Sequence, residues 1–325
     1  MSTAHPAPTP GGILADADFS GADFSHRSLC GVRFIRCTLD RADFSGADCT
    51  DARFEQCSLR DAVLADAVLD GCTLLASSCQ RAGFAGASLT RAVCRACAFD
   101  HADFSNASLL EATLEQCTWE GASLRCSLWE RVSAQGLALR NALLEKIICE
   151  DCDFSGASFT ACHGRLAMFF SCRMPHSFWQ DCRLPQIIAA DSLLAQASFS
   201  GCQFPRGAFS GAELSQSRFL SSLCTQAHFD RARLCAAAWM DSPCDRSNFS
   251  RADLTAAVLR GISCRMADFS HATLAGADFR QADLTQAILH ATDWDAATHT
   301  GAVLDNARFT DAALLRAENF TAAAR

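Results

Sequence analysis

The stretch Ala17-Asp18-Phe19-Ser20-Gly21-Ala22-Asp23-Phe24-Ser25 sets the architecture of this chain, and Ala42-Asp43-Phe44-Ser45-Gly46-Ala47-Asp48 repeats it. Stepping by five from Phe19 to Leu314 visits sixty positions, which hold 20 Phe, 23 Leu, 5 Trp, 7 Cys and 1 Met. Only Ala134, Gly164, Ala189 and His299 break that phase, and no insertion or deletion interrupts it. Two residues before the centres runs a second phase of mostly small residues, as at Ala22, Cys37, Ala42, Ala47, Cys57, Ala62, Ala67 and Cys72. Self-similarity at a fixed period marks a repeat architecture.

Five fits neither the helical period nor that of a single strand. Within one unit, though, the small residue and the large centre are two apart, as two same-facing residues of a short extended segment are. The next two residues turn the chain, and Gly is frequent there (Gly21, Gly31, Gly46, Gly71) because it accepts positive φ without steric cost. The expected object is a coil of short faces, each pointing one small and one large residue inward. Such coils must stack, since one alone cannot bury its apolar face.

These tandem Ala-(Asp/Asn)-(Leu/Phe)-x-x units, including Ala282-Asp283-Leu284-Thr285-Gln286, resemble the pentapeptide-repeat family over nearly the whole chain. The resemblance implies an all-β fold, a right-handed quadrilateral β-helix with four units per turn, hence about 15 coils. The domain organisation expected is a flexible Pro-rich segment over residues 1–14, a single β-helix over 15–315 and a short helical cap over 316–325. The tail leaves the phase after Leu315 and holds good helix formers, and a cap there would cover the last coil's open edge.

Composition narrows the function classes. The first fourteen residues lack the basic start and long apolar run of a signal peptide, and polar residues recur too often for a membrane span. A cytoplasmic location without membrane contact is therefore expected. The net charge of −8 is modest, with acids and bases interspersed. Lys146 is the only lysine and tyrosine is absent, biases of the kind a GC-rich bacterial genome imposes.

Twenty Cys would suggest a disulfide framework in a short secreted chain. Here ten fall in the small inward phase and seven at centres, where buried Cys acts as a small hydrophobe. Cys162, Cys182 and Cys202, spaced by 20, should stack with Cβ atoms about 4.8 Å apart, beyond the usual span of a disulfide. Free thiols are the expectation.

Motifs with chemical potential have bland counterparts. Cys94/Cys97 and Cys149/Cys152 have C-x-x-C spacing, but the repeat produces it whenever a centre and the next small position are both Cys. Neither pair is expected to bind metal, and no cofactor is expected. Asp residues before centres, such as Asp18, Asp43 and Asp268, are read as solvated outward groups without a pocket to raise their pKa. His299 is read as an inward, hydrogen-bonded residue near the cap. No nucleophile elbow, phosphate-cradling loop or basic aromatic patch is present, so neither catalysis nor direct nucleic-acid binding is expected.

One outward row departs from the polar norm. Stacked by 20, it reads Ser88, Ser108, Leu128, Ile148, Met168, Ile188, Ala208, His228, joined by Phe170 and, at the adjoining corner, Leu166. Glu111, Glu130, Glu150 and Asp151 rim it. Such a patch marks an interaction site, a stretch where the coil is distorted, or a surface covered by another part of the chain. Gly164, Pro175, Pro185 and Ala189 are the weak units that favour distortion.

The favoured function is a non-catalytic, rigid scaffold that binds a partner protein, or a second copy as a homodimer, through this row. The resemblance implies an alternative, a DNA mimic that binds and protects bacterial DNA gyrase or topoisomerase IV against quinolones or toxins. Such a mimic needs a dense acidic face, which Arg36, Arg41, Arg81 and Arg91 interrupt. An adaptor or effector part of a bacterial secretion system is a third reading.

Overall fold

In the computed structural model, residues 9–323 are described, with side chains to Glu318. Most of the expected Pro-rich segment therefore lies outside the described residues. The chain forms two compact units, Met1–Met168 and Phe169–Arg325.

Both units are built the same way. In the first, strands Ile13–Ala15, Arg33–Ile35, Arg53–Glu55, Thr73–Leu75, Val93–Arg95 and Thr113–Glu115 pair in parallel, each shifted by 20 residues from the last. Three more rows of bridges, seen at Asp18↔Thr38, Asp23↔Asp43 and Ser28↔Asp48, complete a four-sided turn. In the second unit, Phe178–Gln180, Ser198–Ser200, Arg218–Leu220 and Ala238–Met240 form a parallel sheet with the same shift. The coil thus already includes Ile13, two residues ahead of the expected boundary at 15.

The register places like side chains on like. Phe34 stacks on Phe54 at 5.1 Å between ring centroids, and Phe229 on Phe249 at 5.0 Å. That spacing is the distance between hydrogen-bonded strands, so the inward residues form continuous ladders.

Four centres fill each cross-section, and large ones are balanced by small ones. Trp119, Leu124 and Trp129 share a coil with Ala134, and Trp179, Leu184 and Leu194 share one with Ala189. Ala134 and Ala189 are buried, and so are all of these Trp. The two breaks in phase therefore conserve volume in a close-packed interior, where overpacking destabilises. Gly164 has a different cause. Its φ is +147°, and a Cβ there would lie 2.4 Å from the backbone nitrogen of Glu145. No other residue fits.

Among the described residues, corners other than that at Ala296 place one residue in the left-handed region, most often a non-glycine such as Arg36, Asp51 or Arg81. That conformation carries a steric cost. It is held by the next coil, whose carbonyl accepts the corner N–H, as in Arg36 N–H to Glu55 O at 2.9 Å. Pro175 and Pro185 sit second in turns closed by Ser177 N–H to Met174 O and Ile187 N–H to Leu184 O, a position proline favours. They are not distortions of the coil.

Corners come in two forms. Closed ones have an N–H to O bond across the turn, as Ala22 N–H to Phe19 O at 2.9 Å. Open ones lack it and follow the three-residue strands, as after Phe34, Phe54, Leu74 and Cys94. An open corner frees a buried carbonyl and an N–H, and a polar side chain at the small position takes them up. The Cys57 thiol reaches Phe34 O at 3.3 Å and the Cys97 thiol reaches Leu74 O at 3.4 Å. Ser77 Oγ accepts the Cys57 N–H at 3.1 Å and donates to Phe54 O at 2.9 Å. Nine of the ten Cys in the small phase follow open corners; Cys72, with Cys72 N–H to Leu69 O at 3.1 Å, is the exception. The inward cysteines are thus hydrogen-bonding groups as well as fillers.

The regular coil ends earlier than the sixty-unit count implies. Trp294–Ala296 is a short 3-10 turn, and there Gly276 N–H reaches Ala296 O. Phe309 and Leu314, counted as centres, are 49% and 48% exposed. Leu314 lies in the helix Ala312–Ala323, which begins four residues before the expected cap. The cause is Asp311, whose Oδ1 accepts the N–H groups of Ala313 and Leu314 and so starts the helix. The number of complete coils falls slightly short of 15.

Ser77→Ala should strand a buried N–H and a buried carbonyl, costing about 1–3 kcal/mol. Ser77→Cys should restore most of that. Urea unfolding of both variants checks this, and an alanine loss no larger than the cysteine loss refutes the assignment.

Candidate functional site

Interior chemistry comes first, because the thiols are there. All twenty Cys are free. Burial pushes the Cys57 thiol up to about 11 and the Cys49 thiol up to about 12. Cys72, Cys79 and Cys94 are likewise raised by desolvation. A thiol held protonated is a poor nucleophile and a poor metal ligand. Both C-x-x-C pairs point into this interior, each side chain on a ladder of its own.

Carboxylates outside are paired or turned back on the chain. Arg36 bonds Asp16, Arg81 bonds Asp61 and Arg131 bonds Glu111, each Arg one coil beyond its acid. The hydrogen bond from Arg36 holds the Asp16 carboxyl below its usual range, and that from Arg81 does the same for Asp61. Asp23 and Asp48 are lowered by hydrogen bonds from Ser25 and Thr50 two residues on. Asp23 and Asp43 face each other in adjacent rungs, but Val63 follows, so the acidic row stops there.

The outward apolar row is best described unit by unit. In the first, Leu128 pairs with Ile148 in register, and Met168 N–H bonds Ile147 O one coil further. Leu128 is 39% exposed, whereas Ile148 and Met168 are half-buried against their neighbours in the row. Leu166 is half-buried at a left-handed corner with φ +54°. Glu130 and Glu150 pair in register beside this row, and Arg131 bridges Glu130 at 2.9 Å and Glu111 at 3.1 Å. In the second unit Phe170 and Ile188 are half-buried, and Ile188 bridges to Ala208 and then His228.

A more exposed pair escaped the sequence reading. Leu220 and Met240 are register partners in the second unit, 41% and 59% exposed, with Leu223 exposed nearby in sequence. Their signal was legible: both stand just after a centre, where Ser, Thr and Asp are the frequent residues.

Towards the C-terminal helix, His299 stacks on Trp294 at 4.9 Å between centroids. Among the described residues, His271, His290 and Glu318 are the group whose nitrogen and oxygen atoms could share one metal ion. A surface groove of about 400 Å³ in the first unit is lined by Ala76, Ser77, Ala96, Cys97 and Thr118 and holds no cluster of titratable groups.

Comparison with known proteins gives a consistent picture. A model of the family described as pentapeptide repeats matches eight copies, over residues 17–48, 47–75, 77–116 and 247–286. Among solved structures, the chain is similar to HetL, a pentapeptide repeat protein involved in heterocyst differentiation regulation from the cyanobacterium Nostoc sp.. Identity is 20%, covering 91% of this chain and 84% of that one, with a TM-score of 0.17. It is similar to full-length QnrB1, a plasmid-mediated fluoroquinolone resistance protein, at 17% identity, 95% and 99% coverage and a TM-score of 0.22. A pentapeptide repeat protein from the Arabidopsis thaliana thylakoid lumen is 28% identical over 31% of this chain and 68% of its own, with a TM-score of 0.21. No curated protein matches.

The raised thiols set the response to alkali. A group whose pKa is higher folded than unfolded contributes stability that is complete below the unfolded value and is lost as pH rises through the folded one. Unfolding stability in reducing buffer should therefore be flat to about pH 8 and fall from about 9 towards 12. With no Tyr and one Lys, little else titrates there. Denaturant midpoints across pH 7–11 check this; a constant midpoint contradicts it. Native labelling should reach the exposed Cys126 well before Cys49 or Cys57.

Proposed function

Since this chain is a pentapeptide-repeat protein, we propose that it is a non-catalytic scaffold that binds other proteins through the outer faces of its coil. The observation that carries this reading is the pair of outward apolar rows, Leu128–Ile148 in the first unit and Leu220–Met240 in the second. The repeat fills outward positions mostly with Ser, Thr, Asp and Arg, so large apolar groups in register there serve contact rather than folding. Beside the first row Arg131 pairs with Glu111 and Glu130, and the rows lack the convergent, pKa-shifted set that catalysis needs. The partner is a protein in the same compartment or a second copy of this chain.

The DNA-mimic reading, with gyrase or topoisomerase IV as partner, is second. It requires rows of carboxylates free to imitate phosphates. Here the pairs Arg36–Asp16, Arg81–Asp61, Arg131–Glu111 and Arg233–Glu213 cancel that charge coil by coil. A docking surface of apolar rows with paired charges at the rim accounts for more of the exterior.

Two double variants test the proposal, Leu128→Glu with Ile148→Glu, and Leu220→Glu with Met240→Glu. Each should lower the solution mass of any homodimer or empty a specific band from a bacterial-lysate pull-down. Stability should stay within about 0.5 kcal/mol for the exposed Leu220 and Met240. Unchanged mass and unchanged pull-down in both variants would reject docking through these rows. Protection of gyrase supercoiling against a quinolone, unaffected by either variant, would promote the second reading.

A further inference from the structure

We propose that His271, His290 and Glu318 form a binding site for a divalent transition-metal ion, with zinc the best match, which ties the C-terminal helix to the coil. The three side chains come from separate places. His271 occupies a left-handed corner, and its N–H bonds His290 O, so the two residues are neighbours in adjacent coils. Glu318 comes from the helix Ala312–Ala323. Its Oε2 lies 3.3 Å from His271 Nε2 and 3.2 Å from His290 Nε2, and all three atoms lie within 4.8 Å of one another.

Those separations suit an ion. Zinc bonds of about 2.0–2.2 Å at tetrahedral angles put ligand atoms roughly 3.3–3.5 Å apart. Two imidazole nitrogens with one carboxylate oxygen favour zinc over magnesium or calcium, which take oxygen ligands. His290 is only 7% exposed, and its ring meets His271 edge-on at 5.5 Å between centroids, so both rings are held in place. Three protein ligands leave a fourth position for water on the side where His271 and Glu318 are half-exposed.

The proton inventory is settled by Asp311. Its backbone N–H donates to His290 Nδ1 at 3.2 Å, so without an ion the neutral ring carries its proton on Nε2 and gives it to Glu318. When an ion takes Nε2, that proton moves to Nδ1 of the same ring, and the contact with the Asp311 N–H is given up. No net proton is released from a neutral ring.

The test uses the full chain, reduced, titrated with Co²⁺ and then Zn²⁺, against Glu318→Gln and His271→Ala. Gln keeps an oxygen for the two imidazole N–H groups, so the helix stays docked while the anionic ligand is gone. The expected result is one equivalent of Co²⁺ bound without a thiolate-to-cobalt charge-transfer band and displaced by Zn²⁺. Affinity should fall at least tenfold in both variants, and zinc should raise the thermal midpoint of the wild type alone. No uptake, uptake seen only with the thiolate band, or wild-type affinity retained in either variant would overturn the site.

Discussion

Parallel backbone hydrogen bonding at a fixed shift of 20 residues is the constraint on which the rest of this protein depends. Corner N–H groups and inward-facing strand segments find their partners in the next coil, as Arg36 N–H does in Glu55 O, so a coil cannot lengthen or shorten alone. A constant circumference then fixes how much side-chain volume a cross-section can hold. That is why Ala134 shares its coil with Trp119 and Trp129, and Ala189 shares one with Trp179. The stacking of Phe219 on Trp239, 4.8 Å apart and nearly coplanar, follows from the same spacing.

The same constraint explains the cysteines. Wherever a corner opens, one carbonyl and one N–H lose their local partner inside a dry interior, at a cost that water cannot relieve. A hydroxyl at the small position fits the space and meets both, and a thiol there meets the carbonyl. Ser77, Ser192 and Ser222 do it with full hydrogen bonds, and Cys57, Cys97 and Cys152 with longer ones. Large aromatic centres make their own demand. Ser127 and Ser177 accept the indole N–H of Trp129 and Trp179, whereas Trp119 and Trp239, preceded by Cys117 and Ala237, have no such partner.

Outside the coil, the polar rows spend their charge internally. Arg and acid one coil apart neutralise each other, which leaves the apolar rows as the distinctive chemistry of the exterior. Ile148 and Met168 stand in the outward row that the sequence predicts, and they are half-buried there. Leu220 and Met240, just after a centre, are more exposed.

Period alone determined the stacked coil of short faces, the inward phase, the free thiols and the polarity of the walls, since each is a local consequence of which residue recurs at which of five positions; its four sides were implied by the family resemblance. The same arithmetic, in hindsight, made His271 and His290 neighbours in adjacent coils. Other features depend on what comes next to a residue rather than on the residue itself. Phe309 and Leu314 keep the phase but lie exposed, because Asp311 caps a helix and no further coil covers them. Open corners, and hence the hydrogen-bonding role of cysteine, arise from packing between coils. The convergence of Glu318 on two histidines exists only once the helix folds back, a long-range choice that no five-residue pattern encodes.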